Sequence, residues 1–246
     1  MTEAIVTGAL EAEHVSVRFG GLRALENITL SLARGELLGL IGPNGAGKST
    51  LINALSGFEA PVEGTIRLEG RSLAGLQPHE VSRAGVARTF QAVRLFRGLS
   101  VLENVAAGLV LRRASRRAAV GRAQEILDWM GLGPKADLIA GTLPYGDERR
   151  IGIARALATE PRYLLLDEPA AGSNEDEIGE LVATIARIRT DFGCGVLVVE
   201  HNMALIMTLC ERIHVIDGGR TIAIGTPLEV QRDPAVRRAY LGEDEE

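Results

Sequence analysis

Residues 42–50 read Gly42-Pro43-Asn44-Gly45-Ala46-Gly47-Lys48-Ser49-Thr50. They follow an apolar run at 37–41 and precede an amphipathic stretch carrying Leu51, Ile52, Leu55 and Phe58. This is the strand, loop and helix context in which the pattern G-x-x-x-x-G-K-[ST] has a physical meaning. Its glycines let the loop curl until several backbone N–H groups point inward, and the helix that follows adds a partial positive charge at its N-terminus. An oligophosphate is the natural occupant. In such a cradle Lys48 reaches the β- and γ-phosphates, and the Ser49 hydroxyl is placed to ligate Mg²⁺. Of the 27 basic residues only Lys48 and Lys135 are lysine. An accidental match therefore has a probability of roughly a few in a thousand from composition. Wherever this chain merely needs positive charge it uses Arg, yet the loop keeps the compact ammonium that fits inside a phosphate wrap.

The rest of the composition narrows the class. The chain has 246 residues, 46% of them hydrophobic and 24% charged, enough for a sizeable core in one globular unit. A net charge of −5 removes the global attraction shown by nucleic-acid and anionic-lipid binders, so no nucleic-acid partner is expected. With 29 glycines and only 4% aromatics, an α/β fold is favoured over an all-β sandwich. Cys194 and Cys210 cannot make a disulfide framework, which fits a reduced, cytosolic compartment. The first residues show no basic leader followed by an apolar segment. No apolar run is longer than about seven residues, where a membrane helix needs about 20. If the chain acts at a membrane, other chains supply the spanning parts.

Periodicity divides the chain into a β-rich start, with strands expected at 15–19, 28–32, 36–41 and 66–68, and a helical stretch at 101–158. In that stretch Ile126, Leu127, Met130, Ile151, Ile153, Ala154 and Leu157 are the expected buried positions. Short apolar runs at 163–166 and 196–199, separated by a helix near 176–189, read as buried parallel strands. The tail at 227–246 is polar, ends in Gly-Glu-Asp-Glu-Glu, and reads as a solvated acidic end. Asp167 and Glu168 close the run 163–166, at the C-terminal end of a buried strand where α/β sheets hold ligands. There Asp167 can support the Mg²⁺ shell through water, and Glu168 can polarise the water that attacks a γ-phosphate.

These motifs, with Leu143-Pro144-Tyr145-Gly146-Asp-Glu-Arg-Arg ahead of a helix at 151–158, make the chain resemble the nucleotide-binding subunit of ATP-binding cassette (ABC) transporters. The resemblance runs from about residue 11 to about residue 230. It implies a single ABC ATPase domain over 1–246: a P-loop core with a β-rich N-terminal subdomain and a helical subdomain, at about 92–160, inserted in the RecA-like core. It implies ATP and Mg²⁺ as cofactors, with Phe19 stacking on adenine and Gln91 linking the metal site, as a ligand, to the helical subdomain. By the same resemblance residues 143–148 are the signature loop, 170–174 the loop crossing a dimer seam, and His201 the switch histidine near the γ-phosphate. Three readings stay open: apolar alternation alone would bury Phe19 in the core, Gln91 taken alone would be an ordinary surface amide, and His201 could be a structural histidine. His14, His79 and His214 have no such context. Asp191-Phe-Gly has no kinase loops beside it and is set aside.

Within the family, Phe19-Gly-Gly-Leu-Arg-Ala-Leu, Arg88-Thr-Phe-Gln-Ala-Val-Arg-Leu-Phe, Asp167-Glu-Pro-Ala-Ala-Gly-Ser-Asn and Gly225-Thr-Pro look like the ATPase of a branched-chain amino acid importer. That resemblance implies a second ABC ATPase subunit, preferably a different chain, two membrane permeases, and a periplasmic binding protein acting indirectly. The implied location is peripheral, on the cytoplasmic face of the inner membrane. A segment between Gln91 and Leu143 shorter than expected for the subgroup leaves room for other polar or lipid cargo. Pro144 stands where the commoner signature has Ser, and Glu148 where it has Gln. The cluster Arg112, Arg113, Arg116, Arg117, Arg122 reads as a solvated helical face, with anionic headgroups the sharper option. The alternatives are a soluble ATPase that drives assembly or remodelling of a cytosolic complex, and a regulatory nucleotide-binding module that hydrolyses poorly because of Pro144.

Overall fold

The computed structural model describes residues 8–109 and 115–241. Among these residues the strands form two sheets. An antiparallel sheet has the order β2-β1-β4-β5, from β1 (Ala9–Phe19), β2 (Leu22–Ala33), β4 (Glu63–Leu68) and β5 (Arg71–Ser72). The larger sheet has the order β10-β9-β3-β8-β7-β6. Its strands are β3 (Leu37–Ile41), β6 (Val86–Arg88), β7 (Tyr163–Asp167), β8 (Gly195–Val199), β9 (Arg212–Asp217) and β10 (Arg220–Gly225). All its pairings are parallel except that of β10 with β9.

The buried runs seen in the sequence become the centre of this sheet, covered on both faces. In β3, Leu37 and Ile41 face one core while Leu38 and Leu40 face the other. In β7, Leu164 and Leu166 alternate in the same way with Tyr163 and Leu165, and in β8 Val196 and Val198 alternate with Leu197 and Val199. A strand that must satisfy two apolar layers has no polar position to spare, which is why these segments read as continuous apolar runs. One core lies against the antiparallel sheet and α1 (Lys48–Leu55). The other lies against α3 (Val101–Gly108), α4 (Arg116–Trp129), α5 (Tyr145–Ala158) and α6 (Glu175–Phe192). In the helical stretch, the seven positions expected to be buried are all buried. Helices α3 and α5 touch at Gly108, where a Cβ would lie 2.5 Å from the Arg155 carbonyl oxygen.

Several expectations are corrected. Phe58 is not on the buried face of α1: the helix stops at Leu55, Ser56 turns its hydroxyl back to Ile52 O at 2.6 Å, and Phe58 is exposed, edge-to-face on Phe90 at 5.6 Å. Strands β6, β9 and β10 and the helix α2 (Pro78–Ala84) carry no clear periodicity and were not anticipated. In β9 the polar His214 is buried among Ile213, Val215 and Ile216, bonded to Thr221 Oγ1 at 2.8 Å, and burial holds its pKa down to about 4. The tail is not a solvated end over its described part. Thr226 and Glu229 form a capping box for α8 (Pro227–Arg232), α9 (Pro234–Leu241) follows α7 (Met203–Leu209) and α8 in the chain, and Val230 and Val236 enter the core. Residues 242–246, Arg112 and Arg113 lie outside the described residues, while Arg116 and Arg117 are exposed and Arg122 pairs with Glu125. Asp191-Phe-Gly is the end of α6, where Asp191 accepts from Trp129 and Gly193 adopts φ +59. Both cysteines are free and buried, their thiols pushed up to about 12. No described helix is long and apolar enough to cross a membrane.

Candidate nucleotide site

The loop between β3 and α1 is built by its neighbours. Gly42 has φ +155, and a Cβ there would sit 2.0 Å from Ile216 O. Gly47, at φ +106, caps α1 and lies against Ala24 O. The turn between β9 and β10 braces the loop through Gly219 N–H to Ala46 O at 3.0 Å. Ala46 is buried, Asn44, Gly45 and Ser49 are exposed at the rim, and Thr50 is half-buried on α1. Lys48 is the first helical residue, and its ammonium donates to Gly42 O at 2.6 Å and Pro43 O at 2.8 Å. Burial lowers its pKa, while the carboxylates of Glu168 and Asp167 oppose that shift, so the ammonium is held between loop carbonyls and the acidic pair.

At the end of β7, Asp167 and Glu168 face different partners. Asp167 Oδ2 accepts from Arg88 Nη2 at 2.9 Å, with both side chains about nine-tenths buried. Arg88 Nη1 also donates to Asn53 Oδ1 of α1 at 2.5 Å, and its guanidinium stacks on Phe90 at 4.7 Å and Phe58 at 5.6 Å. Glu168 has φ +49, a left-handed conformation that costs a non-glycine residue of order 1 kcal/mol and persists where the surroundings impose it. Its Oε2 accepts from Gln91 Nε2 at 2.7 Å. Gln91, Asp167 and Glu168 line one cleft. The side chains of Ser49, Gln91 and Asp167 carry hydroxyl, amide and carboxylate oxygens, hard donors of the kind that would suit Mg²⁺. No cluster of three His, Cys, Asp or Glu that could hold a metal occurs among the described residues.

Phe19 is 47% exposed at the end of β1, which excludes the core-packing reading. The His201 side chain is 62% exposed, its Nδ1 3.9 Å from Glu200 Oε2, so it is no satisfied core histidine. Glu200 was not singled out in the sequence. It is 1% exposed, and its carboxylate accepts from Ala170 N–H at 2.5 Å and His201 N–H at 3.2 Å, tying the loop at 170–174 to the turn that presents His201. Arg88 likewise appeared only inside a longer motif. Their signal was a charged residue adjoining a buried strand, which becomes informative once partners distant in sequence are known.

The residues 143–148 enter α5. Leu143 packs against the main core, Pro144 occupies the N-cap with no side-chain cap, and Tyr145 donates its hydroxyl to Gln91 O at 3.3 Å. Pro144 and Gly146 line a cleft between α5 and α6, separate from the one holding Asp167 and Glu168. The first helical bond is Glu148 N–H to Pro144 O, so the N–H groups of Tyr145, Gly146 and Asp147 precede the helical ladder. Arg149 links α5 to the loop at 170–174 through Ser173 Oγ at 2.6 Å and Ala171 O. Arg155 holds the segment after Gln91 through Val93 O and Arg94 O, both at 3.0 Å.

A profile of the ABC transporter family matches residues 25–171, and one described as branched-chain amino acid ATP-binding cassette transporter matches residues 220–246. The chain is 45% identical over 249 residues to the high-affinity branched-chain amino acid transport ATP-binding protein LivG of Salmonella typhimurium, covering 95% of this chain and 98% of LivG. The ADP conformation of MJ1267, an ATP-binding cassette of an ABC transporter, superposes with a TM-score of 0.87 at 30% identity, over 96% of this chain and 99% of that one. The dimeric post-hydrolysis state of the cassette MJ0796 bound to ADP and Pi gives 0.79 at 26% identity, over 89% and 98%. The two-sheet architecture, the phosphate loop and these likenesses identify the chain as a member of the ABC transporter ATP-binding cassette family. It is a nucleotide-binding ATPase subunit of a transporter, a class that works in pairs with membrane permeases.

Proposed function

We propose that this chain hydrolyses ATP with Mg²⁺ to drive a branched-chain amino acid importer, as one 246-residue nucleotide-binding unit whose helical part, at about 92–160, is inserted in the P-loop core. The reading extends to the cytoplasmic membrane face, two permeases, a periplasmic binding protein, and a second, different ATPase chain. The C-terminal match over 220–246 and the similarity to LivG support this cargo over the assembly ATPase. The observation that carries the chemistry is the junction of Lys48, Asp167, Glu168 and Gln91. Lys48 leaves the carbonyls of Gly42 and Pro43 to meet the β- and γ-phosphates, and the loop N–H groups share that charge. Ser49, Asp167 and Gln91 would hold Mg²⁺, which when bound would supply charge neutralisation on the phosphate oxygens. Glu168, held by Gln91, orients and polarises the attacking water, His201 senses the γ-phosphate, and Phe19 stacks on adenine.

The N-terminus of α5 completes the nucleotide site of the second chain, with the N–H groups of Tyr145, Gly146 and Asp147 facing its γ-phosphate. Residues 94–97 lie where a short cytoplasmic helix of the permease docks; Phe96 there is exposed and Arg155 stacks on it at 5.9 Å. Affinity purification of the chain from solubilised membranes tests the assignment. Co-purification of permeases, with ATPase activity stimulated by a leucine-loaded binding protein in proteoliposomes, is the expected result. Recovery of soluble partners alone contradicts it.

A further inference from the structure

Lys135 is the one lysine outside the phosphate loop. It ends the short turn Gly133–Lys135 that follows α4, and its ammonium lies 2.5 Å from Asp147 Oδ2. Asp147 is the third residue of α5, with its side chain nine-tenths buried and Arg150 Nη1 3.9 Å from its other oxygen. The next carboxylate, Glu148, is equally buried and pairs at 3.1 Å with Arg97, from the segment before α3. The first turn of α5 thus carries two buried carboxylates, each matched by a cation from a different part of the helical insertion.

An acidic residue in a first turn stabilises its own helix without any partner. Burial changes the balance, because a carboxylate removed from water needs a compensating charge. Here there is a further demand. Pro144 brings no capping oxygen, so the first N–H groups of α5 are left to an outside acceptor. An uncompensated Asp147 would oppose any anion approaching those groups, because its own carboxylate is shielded from water.

We propose that Lys135 is a positioning residue for the two-chain nucleotide site. Its ammonium cancels the Asp147 charge, so that the N-terminus of α5 keeps its affinity for the phosphate bound to the second chain. This rests on the reading of α5 as the element that meets the second chain's ATP. It also accounts for a signature in which acidic residues follow Gly146: the acid is tolerated because its charge is neutralised locally.

The test uses the full-length chain carrying Glu168→Gln, alone and with the second ATPase chain that co-purifies with it. ATP-dependent dimerisation is followed by sedimentation, and ATP binding to the single chain by calorimetry. Lys135→Met is expected to weaken the ATP-dependent dimer by about tenfold while single-chain ATP affinity stays unchanged. Lys135→Arg, which keeps the charge, retains the dimer within about twofold. The informative variant is Lys135→Met with Asp147→Asn: the ion pair is gone, yet dimerisation returns to within about twofold of the reference, because no charge remains to oppose the phosphate. All variants are compared below their measured unfolding midpoints. An unchanged dimer in Lys135→Met, or a double variant no better than the single, overturns the proposal. A reference chain that forms no ATP-dependent dimer with either partner overturns the two-chain reading itself, and is recognised because it fails before Lys135 is altered.

Discussion

The phosphate-loop region and the N-terminus of α5 are both helix starts suited to anions, yet they are built in opposite ways. At the loop, the chain satisfies its own groups: Lys48 bonds Gly42 and Pro43, Asp167 holds Arg88, and Glu168 holds Gln91. At α5, the charged side chains are paired sideways, Asp147 with Lys135 and Glu148 with Arg97, and, as at α1, no side chain caps the first backbone donors. The first region is a self-contained polar network on a rigid parallel sheet. The second is one exposed end of a helix whose acceptor must come from elsewhere. Substitutions in the first should therefore disturb nucleotide binding, activation of water or stability, all carried by the chain's own groups. Those in the second should disturb only what two chains do together.

The largest effect is expected at Lys48. Lys48→Ala removes the charge proposed to meet the β- and γ-phosphates, and should weaken ATP binding by at least about 100-fold and abolish turnover. Lys48→Arg should fail as well, because a guanidinium is too broad for the loop. Unchanged ATP affinity by calorimetry would remove the phosphate loop from the account. Next comes Glu168→Gln, which should keep ATP and Mg²⁺ but lose about 10²- to 10⁴-fold in turnover. Hydrolysis at the wild-type rate would pass the water-polarising role to another group, with His201 the first candidate.

Arg88 sharpens the comparison through stability. Arg88→Met leaves the buried Asp167 carboxylate and Asn53 without their shared partner, at a cost of about 3 kcal/mol. Urea unfolding measures this directly, and a midpoint equal to wild type would show that the pair is not a structural hub. Pro144→Ser has the smallest expected effect. Proline fixes φ at the cap but offers no hydroxyl to a γ-phosphate, and one hydrogen bond to a charged group contributes about 1.5 to 3 kcal/mol. Serine should leave the steady-state ATPase of the complete complex unchanged or raise it modestly, within the roughly ten- to hundredfold that such a bond is worth. A wild type without turnover that serine rescues would make the chain a regulatory module.

What could be read from the sequence follows the range of the interactions. The phosphate loop, the run ending at Asp167 and the buried positions of α4 and α5 are local patterns, and the structure places them as the spacing predicts. Arg88 and Glu200 depend on partners 79 and 30 residues away, which no local pattern announces. Strand β9 was hidden because His214 interrupts an apolar run, and its burial is made tolerable only by Thr221 on the adjacent strand. The tail reads as polar because, among its described residues, only Val230 and Val236 are buried in two short helices. The Lys135–Asp147 pair was equally out of reach, although the scarcity of lysine had already set Lys135 apart.

The difference between the two helix starts is tested most directly by measuring ATP affinity and turnover in Gly146→Asp beside Lys48→Ala. A carboxylate at Gly146 adds a negative charge beside the first N–H groups of α5, and its Cβ would lie 3.2 Å from Glu177 Oε1, an oxygen of the carboxylate that caps α6 and must give by a few tenths of an ångström. If the two regions serve different nucleotides, Lys48→Ala loses ATP binding, whereas Gly146→Asp binds ATP within about twofold of wild type yet loses at least about 100-fold in turnover. Wild-type turnover in Gly146→Asp, or a loss of single-chain ATP affinity as deep as that of Lys48→Ala, would contradict the account.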